Sequence, residues 1–458
     1  MKQYDIYKNS RIALIGDIPK HWEVKKLKHF AKVNGRIGFR GYTTDDLVAE
    51  GNGAYTIGGK HIANCVLDLS SPDFISWEKY YESPEIMVKQ GDILMAQRGS
   101  LGKVAVVRDK IKEATINPSL VLINGIAINN IFLYYFLISK STTSYIELIN
   151  TATAVPMISQ NQIENIYAPV PPLNEQEKIA NWLDWKVGQI DDIIAEKESI
   201  VADMQKYRQS LISETVTHGL NSNEPLRSSG IDLIGDIPES WNCLKLKRIL
   251  SDESDNLKVG PFGSQLQGDD ILREGDYWIY NQRTVLDNNF ETTNAYVSKD
   301  KFENMSSFAV REKDILITTR GTIGKICQVP NNHAKGIIHP CIIKFRINEE
   351  MMDYKFLEFV FNDSNIVEQQ IKISSNATTI DVIYGGTLKE IFLPVPTVKE
   401  QKEIVQFLAS KTEQIDEIIS GLTVQITDLR SYKSSLISEA VTGKIDLREV
   451  EIPETIKA

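Results

Sequence analysis

The stretch LIGDIPKHW at residues 14–22 returns as LIGDIPESW at residues 233–241, and this echo decides how the chain is organised. Seven of the nine letters agree, although the two copies lie roughly 220 residues apart. A separation this long exceeds the period of solenoid repeats, which is 20 to 50 residues. The echo therefore indicates a duplicated domain.

Three further pairs of motifs follow in the same order in both halves. They are GDILMAQRGSLGKVAVV from Gly91 and KDILITTRGTIGKICQV from Lys313, APVPPLNEQEKIANWL from Ala168 and LPVPTVKEQKEIVQFL from Leu393, and QSLISETVT from Gln209 and SSLISEAVT from Ser434. The chain is therefore a tandem duplication of a unit of roughly 220 residues, which suits a domain with an appended element.

The sequence pattern changes at the proline cluster near the end of each unit. Before it, short β-rich runs alternate with glycine and asparagine turns and a few helical stretches, which predicts an α+β domain. After it, more than 40 residues contain no proline and one interior glycine, Gly188 or Gly421, which predicts a long helix. The predicted division is a first α+β domain at 1–167, a first long helix at 168–219, a second α+β domain at 220–392, a second long helix at 393–445 and a C-terminal tail at 446–458.

Both predicted helices carry an apolar stripe at spacings of three and four residues. The stripes are Leu183, Val187, Ile190, Ile194, Val201, Met204 and Leu211 in the first helix, and Leu408, Ile415, Ile419, Leu422, Ile426, Leu429 and Leu436 in the second. Burying each such side chain stabilises a helix pair by roughly 1.5 to 3 kcal/mol. We therefore expect an antiparallel coiled coil of one helix against the other, with a pseudo-twofold internal repeat; pairing with another chain is the alternative.

Composition bounds the possible functions. The net charge of −10 argues against a protein that coats nucleic acid indiscriminately, so DNA contact by the acidic second half needs local basic patches or a partner that supplies positive charge. The four cysteines and six histidines are scattered without the spacing of a metal site. No apolar run reaches the roughly 18 residues of a membrane span, and the first residues lack the apolar segment of a secretory signal. A cytoplasmic location is therefore expected.

These motifs resemble those of the specificity subunits of type I restriction-modification systems. The resemblance covers nearly the whole chain and rests on SRIALIGDIPKHWEVKKLKHF and SGIDLIGDIPESWNCLKLKRI, on RGSLGK and RGTIGK, and on PVPPLNEQ and PVPTVKEQ. It implies two target-recognition domains that read the halves of a bipartite, asymmetric double-stranded DNA target. It also implies that the helices dock two modification subunits, which bind S-adenosylmethionine and methylate adenine, and that restriction subunits cut DNA with ATP and Mg.

The resemblance implies that this chain is not catalytic, and its residues agree. RGSLGKV and RGTIGKI lack the loop length and the final hydroxyl of a P-loop. INPSL at residues 116–120 does not complete an NPPY-type amino-methyltransferase motif, and the histidines form no metal-binding pair. We therefore expect no catalytic, metal or cofactor site in this chain. The rival class is a coiled-coil scaffold whose end domains bind proteins, and its binding would be insensitive to salt.

The duplication sorts the candidate DNA-binding residues. Motifs that both halves share cannot decide which bases are read, whereas polar segments that differ can. The shared candidates, whose flanking glycines let backbone approach a phosphate, are Arg98, Lys103, Arg320 and Lys325, beside Gly99, Gly102, Gly321 and Gly324. The base-reading candidates, with side chains that can bond guanine or adenine edges, are Arg36, Arg40, Tyr42, Lys60, His61, Ser264, Gln265, Asn281, Gln282 and Arg283. A β-turn with solvated charges is the alternative for the first set, and an ordinary surface role for the second.

A third set of shared residues is expected to dock the partner subunits. The set is Trp22, Trp241, Glu175, Gln176, Glu400 and Gln401. The acidic residues stand in the predicted first turn of each long helix, where they favour the helix dipole. A core role is the favoured alternative for both tryptophans, and the docking role is implied by the resemblance alone.

Overall fold

The structure, a computed structural model, describes residues 2–36, 41–150, 156–374 and 383–453. It divides into two compact units, Met1–Glu198 with Val424–Ala458, and Ser199–Thr423. Each unit contains an α+β domain, the first part of one long helix and the last part of the other. The predicted α+β class with a tandem repeat and two long helices is confirmed.

The first unit holds strands and helices from both ends of the chain. Its strands are β1 Tyr7–Asn9, β2 Asp17–Pro19, β3 Glu23–Lys26, β4 Lys32–Gly35, β5 Leu47–Val48, β6 Gly53–Ile57, β7 Ile62–Ala63, β8 Val66–Leu67, β9 Asp73–Ser76, β10 Ile93–Ala96, β11 Val104–Val106, β12 Ala114–Ile116, β13 Leu120–Asn124 and β14 Tyr167–Val170. Its helices are α1 Trp77–Tyr81, α2 Asn130–Ile138, α3 Lys140–Ile149, α4 Gln160–Glu164 and the first part of α5 Leu173–His218.

The second unit follows with a similar order of elements. Its strands are β15 Leu226–Ser228, β16 Asp236–Pro238, β17 Asn242–Lys245, β18 Leu257–Val259, β19 Tyr277–Tyr280, β20 Tyr296–Val297, β21 Ile315–Thr318, β22 Ile326–Gln328, β23 Gly336–Ile338, β24 Ile342–Phe345 and β25 Phe392–Val395. Its helices are α6 Gln282–Leu286, α7 Lys299–Asn304, α8 Tyr354–Glu358, α9 Ile366–Ser374, α10 Gly385–Glu390 and the first part of α11 Val398–Val441.

Two four-stranded sheets form the centre of the first unit, in the orders β11-β10-β13-β4 and β12-β6-β9-β5. Side chains alternate along β10, so Leu94 joins the apolar cluster of Ile57 and Ile116 in the other sheet. Ile93 and Met95 point to the opposite face and are also fully buried. Because β10 is buried on both faces, its sequence is a continuous apolar run.

The second unit has a similar topology with one strand fewer in the second sheet, in the orders β22-β21-β24-β18 and β23-β19-β20. Ile315 and Ile317 of β21 belong to one cluster with Trp241, whereas Leu316 between them packs with Ile338 of the other sheet. In both units one pair of strands is parallel, β6 with β12 and β19 with β23. The carboxyl ends of these parallel pairs position the candidate site.

Within each unit, the segments of α5 and α11 run antiparallel. Lys197 and Arg208, which interrupt the apolar stripe of α5, both bond to the facing segment of α11. The polar pairs are Asp191 with Lys433 at 2.5 Å and Lys197 with Gln425 at 2.8 Å in the first unit, and Arg208 with Asp416 at 3.1 Å in the second. Early residues of one helix thus face late residues of the other, as predicted.

The stripe of α5 is buried only in part: Leu183 is buried, whereas Val187, Val201 and Met204 are half-buried. Ile190 and Ile194 are buried as expected. Near the end, Ile212 is fully buried and the predicted Leu211 is only half-buried. The buried face turns because Ile212 packs into the core of the second domain beside Trp241, and not only against the facing helix.

Each long helix is followed by a left-handed glycine beneath a tryptophan of the same unit. Gly219 after α5 has φ +74, and Gly443 after α11 has φ +71. A Cβ on Gly219 would lie 3.0 Å from Trp241, and a Cβ on Gly443 would lie 3.1 Å from Trp22. Glycine is therefore needed here both for its backbone conformation and for space.

A buried glutamine fastens the first turn of each long helix to its own domain. Gln176 accepts a hydrogen bond from the amide of Asn129 at 2.8 Å. Gln401 accepts one from the amide of Asp353 at 2.7 Å and donates to two backbone carbonyls, both at 2.9 Å. Their exposed fractions are 3% and 0%. The direction of each helix is thus fixed at its start.

The long helices occupy 46 and 44 residues, inside the ranges 168–219 and 393–445 that the sequence analysis assigned to them. The bounds of the five segments stay a prediction. Among the described residues, no helix is both long enough and apolar enough to cross a membrane.

Replacing Gln401 by alanine is expected to destabilise the second unit. The change removes the partner of the buried carbonyl of Pro396, of the half-buried carbonyl of Met351 and of the half-buried amide of Asp353. A fully buried group that is left unsatisfied costs about 1 to 3 kcal/mol. Thermal unfolding of the full chain should therefore begin at a lower temperature. Glu403→Ala, at an exposed position two residues away on the same helix, is the matched control and should leave unfolding unchanged. Equal melting curves for both variants would contradict the assignment.

Candidate nucleic-acid interface

In the first unit, the carboxyl ends of the parallel strands β6 and β12 meet at one edge of their sheet. Residues 58–61 follow β6 and residues 117–119 follow β12. The amide of Gly59 donates to Ser119 Oγ at 3.3 Å. A Cβ at Gly58 would lie 2.3 Å from Asn117 Nδ2. The two turns touch, so a side chain at residue 58 would push them apart.

The shared RGSLGK hairpin lies against this edge. Its glycines at 99 and 102 are left-handed, with φ 79 and φ 83, and Arg98 beside them is exposed. Lys103 Nζ donates to the carbonyl of Gly59 at 3.2 Å, and Gln97 Nε2 donates to the carbonyl of Pro118 at 3.1 Å. The structure thus brings a predicted phosphate-binding motif next to the divergent GGKH segment.

Lys60 and His61 share one turn but differ in exposure. Lys60 presents its ammonium group to solvent beside Asp73, at 2.7 Å. His61 is buried, and its Nδ1 accepts a hydrogen bond from the amide of Gly58 at 2.9 Å. Its Nε2 is buried without a hydrogen-bond partner among the described residues. Lys60 is therefore the accessible base-reading candidate, and His61 holds the turn.

Arg36 lies beneath the same edge. It is 5% exposed, and it donates to the carbonyl of Ile116 and to Thr115 Oγ1, both at 3.2 Å. Its guanidinium carbon lies 5.4 Å from the centre of the Tyr42 ring, and burial lowers its pKa. These contacts give Arg36 and Tyr42 a structural role in the chain without DNA, and a base-reading role for them stays a prediction. Arg40 lies outside the described residues.

The second unit has the corresponding edge with different side chains. Asn281 caps α6, because its Oδ1 accepts the amide of Arg283 at 2.9 Å. Gln282 lies against the RGTIGK hairpin, where a Cβ on Gly321 would be 3.2 Å from the Gln282 Nε2. The side chain of Arg283 is 85% exposed and pairs with Asp287 at 3.1 Å. Gln282 and Arg283 thus stand at the edge, with Asn281 shaping their turn.

The cations of the second hairpin have different surroundings. Arg320 is exposed, whereas Lys325 Nζ donates to the carbonyl of Asn362 in the same unit. His339 follows β23; burial first, and the positive charge of Arg320 second, lower its pKa. Both effects favour the neutral imidazole, and its Nδ1 accepts the amide of Cys341 at 3.1 Å. Arg320 is the more accessible of the two predicted phosphate contacts.

Ser264 and Gln265 lie in an exposed turn that follows β18. The Oε1 of Gln265 accepts the amide of Phe262 at 3.0 Å. The turn belongs to the same edge, because a Cβ on Gly260 would lie 2.3 Å from the carbonyl oxygen of His339. The structure therefore brings three segments of the second unit together at this edge. They are the turn with Ser264 and Gln265, the start of α6 and the shared RGTIGK hairpin.

Sequence reasoning missed the turns at residues 117–119 and 339–341. The signal was present, because both halves place an X-Pro pair, Asn117-Pro118 or His339-Pro340, directly before a buried apolar strand. These turns form one side of each edge. They differ between the halves in their polar side chains, as base-reading segments would.

The edges offer cations and hydrogen-bond donors. Within the described ranges, no three His, Cys, Asp or Glu side chains come together as a metal site. Exposed Arg, Lys and amide side chains on a rigid turn can bond to phosphates and base edges. The geometry therefore suits recognition of a nucleic acid.

The predicted docking residues are engaged inside their own units. Trp22 Nε1 and the Tyr4 hydroxyl both donate to Glu175 Oε2 at 3.0 Å. Trp241 Nε1 donates to Glu400 Oε1 at 3.0 Å, and burial raises the pKa of Glu400. Together with Gln176 and Gln401, these contacts account for the shared motifs within the fold. The docking role of the six residues stays a prediction.

Comparison with known proteins identifies similarity to specificity subunits of type I restriction enzymes. A family model described as type I restriction modification DNA specificity domain matches residues 19–200 and 263–428. The chain is 23% identical over 371 residues to the type I restriction enzyme MjaVIII specificity subunit of Methanocaldococcus jannaschii, covering 80% of this chain and 82% of that protein. It is 25% identical over 324 residues to the EcoBI specificity subunit of Escherichia coli, covering 68% and 66%.

One solved structure shares the fold. It is described as "Structural basis underlying complex assembly and conformational transition of the type I R-M system", and the match covers 93% of this chain and 99% of that chain with a TM-score of 0.68. The two sequences are 15% identical, so the likeness concerns the architecture of the chain.

Substituting Gly58 by alanine is expected to disturb the edge of the first unit. The new Cβ would displace the Asn117 side chain, whose Oδ1 holds the amide of Ser119 at 2.9 Å. Overpacking of this kind destabilises by about 1 to 3 kcal/mol, and faster hydrogen exchange at the Ser119 amide should accompany a lower melting temperature. Gly59→Ala is the control, since its Cβ would meet Ser119 at an ordinary 3.8 Å. An unchanged exchange rate in the Gly58 variant would show that the turns do not depend on their contact.

Proposed function

The chain belongs to the type I restriction-modification DNA-specificity family, and we propose that its two units recognise the two halves of a bipartite, asymmetric DNA sequence. One observation carries this proposal. Each unit presents a corresponding edge, made of two turns at the ends of parallel strands and an Arg-Gly hairpin, but the polar side chains differ. A common framework with unlike polar groups is what two different half-sequences require. Membership of the family disfavours the rival scaffold role.

The exposed side chains divide the work of recognition. Arg98 and Arg320 occupy the same position in the shared hairpin, so they bind phosphates, which carry no sequence information. Lys60 reads bases in the first unit, and Gln282 and Arg283 read bases in the second, since their head groups can bond guanine or adenine edges in the major groove. The buried Arg36 and His61 hold these readers in place.

The chain acts with partner subunits in the cytoplasm. It positions two modification subunits, which use S-adenosylmethionine to methylate adenine, and restriction subunits, which use ATP and Mg to cut DNA. The relatives named as specificity subunits of restriction enzymes support this division of labour. No cofactor is assigned to this chain.

The purified chain alone should be catalytically silent. Incubation with its target DNA, S-adenosylmethionine, ATP and magnesium is expected to give neither methylated adenine nor cleaved DNA. Addition of the cognate modification subunits should restore methylation, measured by transfer of a labelled methyl group. Methylation or cleavage by the chain alone would overturn the non-catalytic assignment.

Gln282→Ala should change one half of the target and leave the other intact. Removing the amide relaxes discrimination at one base pair, which is worth about 1 to 3 kcal/mol. The measurement is a methylation map of a host that carries the variant with its cognate subunits. The map should show a degenerate base in a single half of the motif.

Gln90→Ala is the matched control for this map. Gln90 is an exposed glutamine, whereas Gln282 is half-buried. Gln90 donates to the carbonyl of Arg108, which follows the end of β11 that lies away from the hairpin. Its map should equal that of the unaltered chain. Degeneracy in both halves of the Gln282→Ala motif, or in neither, would contradict the assignment of one half-sequence to each unit.

A further inference from the structure

Phe262 in the second unit is an exposed aromatic side chain that neither the fold nor the proposed contacts use. Its exposed fraction is 79%, the highest among the exposed large hydrophobic side chains that the structure describes. Single exposed apolar residues are common on protein surfaces. The argument for a role therefore rests on how the ring is held and on what surrounds it.

The backbone around Phe262 is fixed by its own hydrogen bonds. The amide of Phe262 donates to Gln265 Oε1 at 3.0 Å, and its carbonyl accepts the amides of Gln265 at 2.8 Å and Leu266 at 3.3 Å. Leu266 is 5% exposed and anchors the end of the turn, and Pro261 before the ring is buried. The turn is closed and anchored on both sides, so it presents the ring outward without further ordering.

The turn also stands at the edge proposed to face DNA. The amide of Gly260 donates to the carbonyl of Ile342 at 2.9 Å, and no side chain fits at Gly260, because a Cβ would lie 2.3 Å from the carbonyl oxygen of His339. The 339–341 turn in turn contacts the hairpin, because the amide of Thr319, next to Arg320, donates to the carbonyl of Cys341 at 3.0 Å. The ring thus belongs to the same edge as the exposed hairpin cation.

We propose that Phe262 inserts its ring between neighbouring base pairs of the half-sequence bound by the second unit. This inference rests on the proposed function. Apolar wedges are a known means by which proteins unstack a base step, and the unstacked step then contributes to sequence preference through its deformability.

The surroundings favour a base step over a protein surface as the occupant. Gly263, Ser264 and Gln265, which follow the ring, are small or polar and exposed. A protein hot spot is ringed by contacts that exclude water across a broad area. A ring followed by small and polar residues, on a turn at the same edge as the exposed Arg320, instead fits the narrow apolar slot between two stacked bases, flanked by phosphates.

The test uses the assembled complex of this chain with its modification subunits. The probe is a set of duplexes that carry the sequence found by methylation mapping, each with 2-aminopurine at one base step. The unaltered complex should raise the fluorescence at one step in a single half-sequence, because unstacking relieves quenching. Phe262→Ala should abolish that signal and weaken specific binding by roughly 5- to 150-fold, the range for loss of an aromatic ring stacked on a base.

Two controls separate this effect from misfolding and from general loss of an apolar side chain. Phe262→Leu should retain part of the signal, since a branched apolar wedge remains. Leu148→Ala, at a 76% exposed position of the first unit, should change neither fluorescence nor affinity. All three variants should melt like the unaltered chain, because neither side chain is buried.

Each outcome decides between named alternatives. Tight specific binding by the unaltered complex with no fluorescent step would overturn the wedge while leaving the proposed function intact. Weaker assembly of Phe262→Ala with the modification subunits in the absence of DNA, with an unchanged fluorescent step, would overturn it in favour of a protein contact. Failure of the unaltered complex to bind any sequence selectively would overturn the proposed function itself.

Discussion

The core of each unit includes the end of a long helix that begins in the other unit. In the second unit, Ile212 and Val216 at the end of α5 are fully buried in one cluster with Trp241 and Leu246. In the first unit, Ala440 and Val441 at the end of α11 are fully buried as well. Burial of such side chains is a leading favourable term in folding. A domain cut at the proline clusters would lose this part of its core.

This dependence explains why the shared motifs stand where they do. The turn LIGDIP brings a tryptophan over the arriving helix end, the glycine after that helix leaves room for the ring, and a glutamate in the first turn of the other long helix accepts the indole N–H at 3.0 Å. The motifs that carry the tryptophan, the glycine and the glutamate thus all take part in the contact around the indole ring. Motifs that are far apart in the sequence are therefore repeated together.

Much of this architecture could be predicted from the sequence, and the exceptions have physical causes. The duplication, the α+β class, the long helices and their antiparallel pairing follow from spacing and composition. The helical period could not locate the shift from Leu211 to Ile212, because Ile212 is buried in a core cluster that consists mostly of residues of other elements, Trp241 among them. Nor could it reveal that Val424–Ala458 completes the first unit, since local patterns carry no information about which distant segment fills a core.

The candidate site was less predictable than the fold for a related reason. Side-chain type suggested Arg36 and His61 as readers, yet both are buried, because an arginine or histidine can equally well satisfy backbone groups beneath a turn. The X-Pro turns at residues 117–119 and 339–341 carry no charge run and were overlooked. Exposure at a shared edge, which only the tertiary structure supplies, separates Lys60, Gln282 and Arg283 from the residues that support them.

The two edges are supported by separate apolar clusters. Each edge can therefore change its polar side chains independently of the other. The first edge is supported by Ile57, Ile116 and their neighbours, and the second by Tyr280 and Ile338 with theirs. Substitutions at distant sites without shared partners act nearly additively on free energy. A change among the polar residues of one edge therefore need not disturb the packing beneath the other. The framework can stay constant while each half alters its own set of polar side chains.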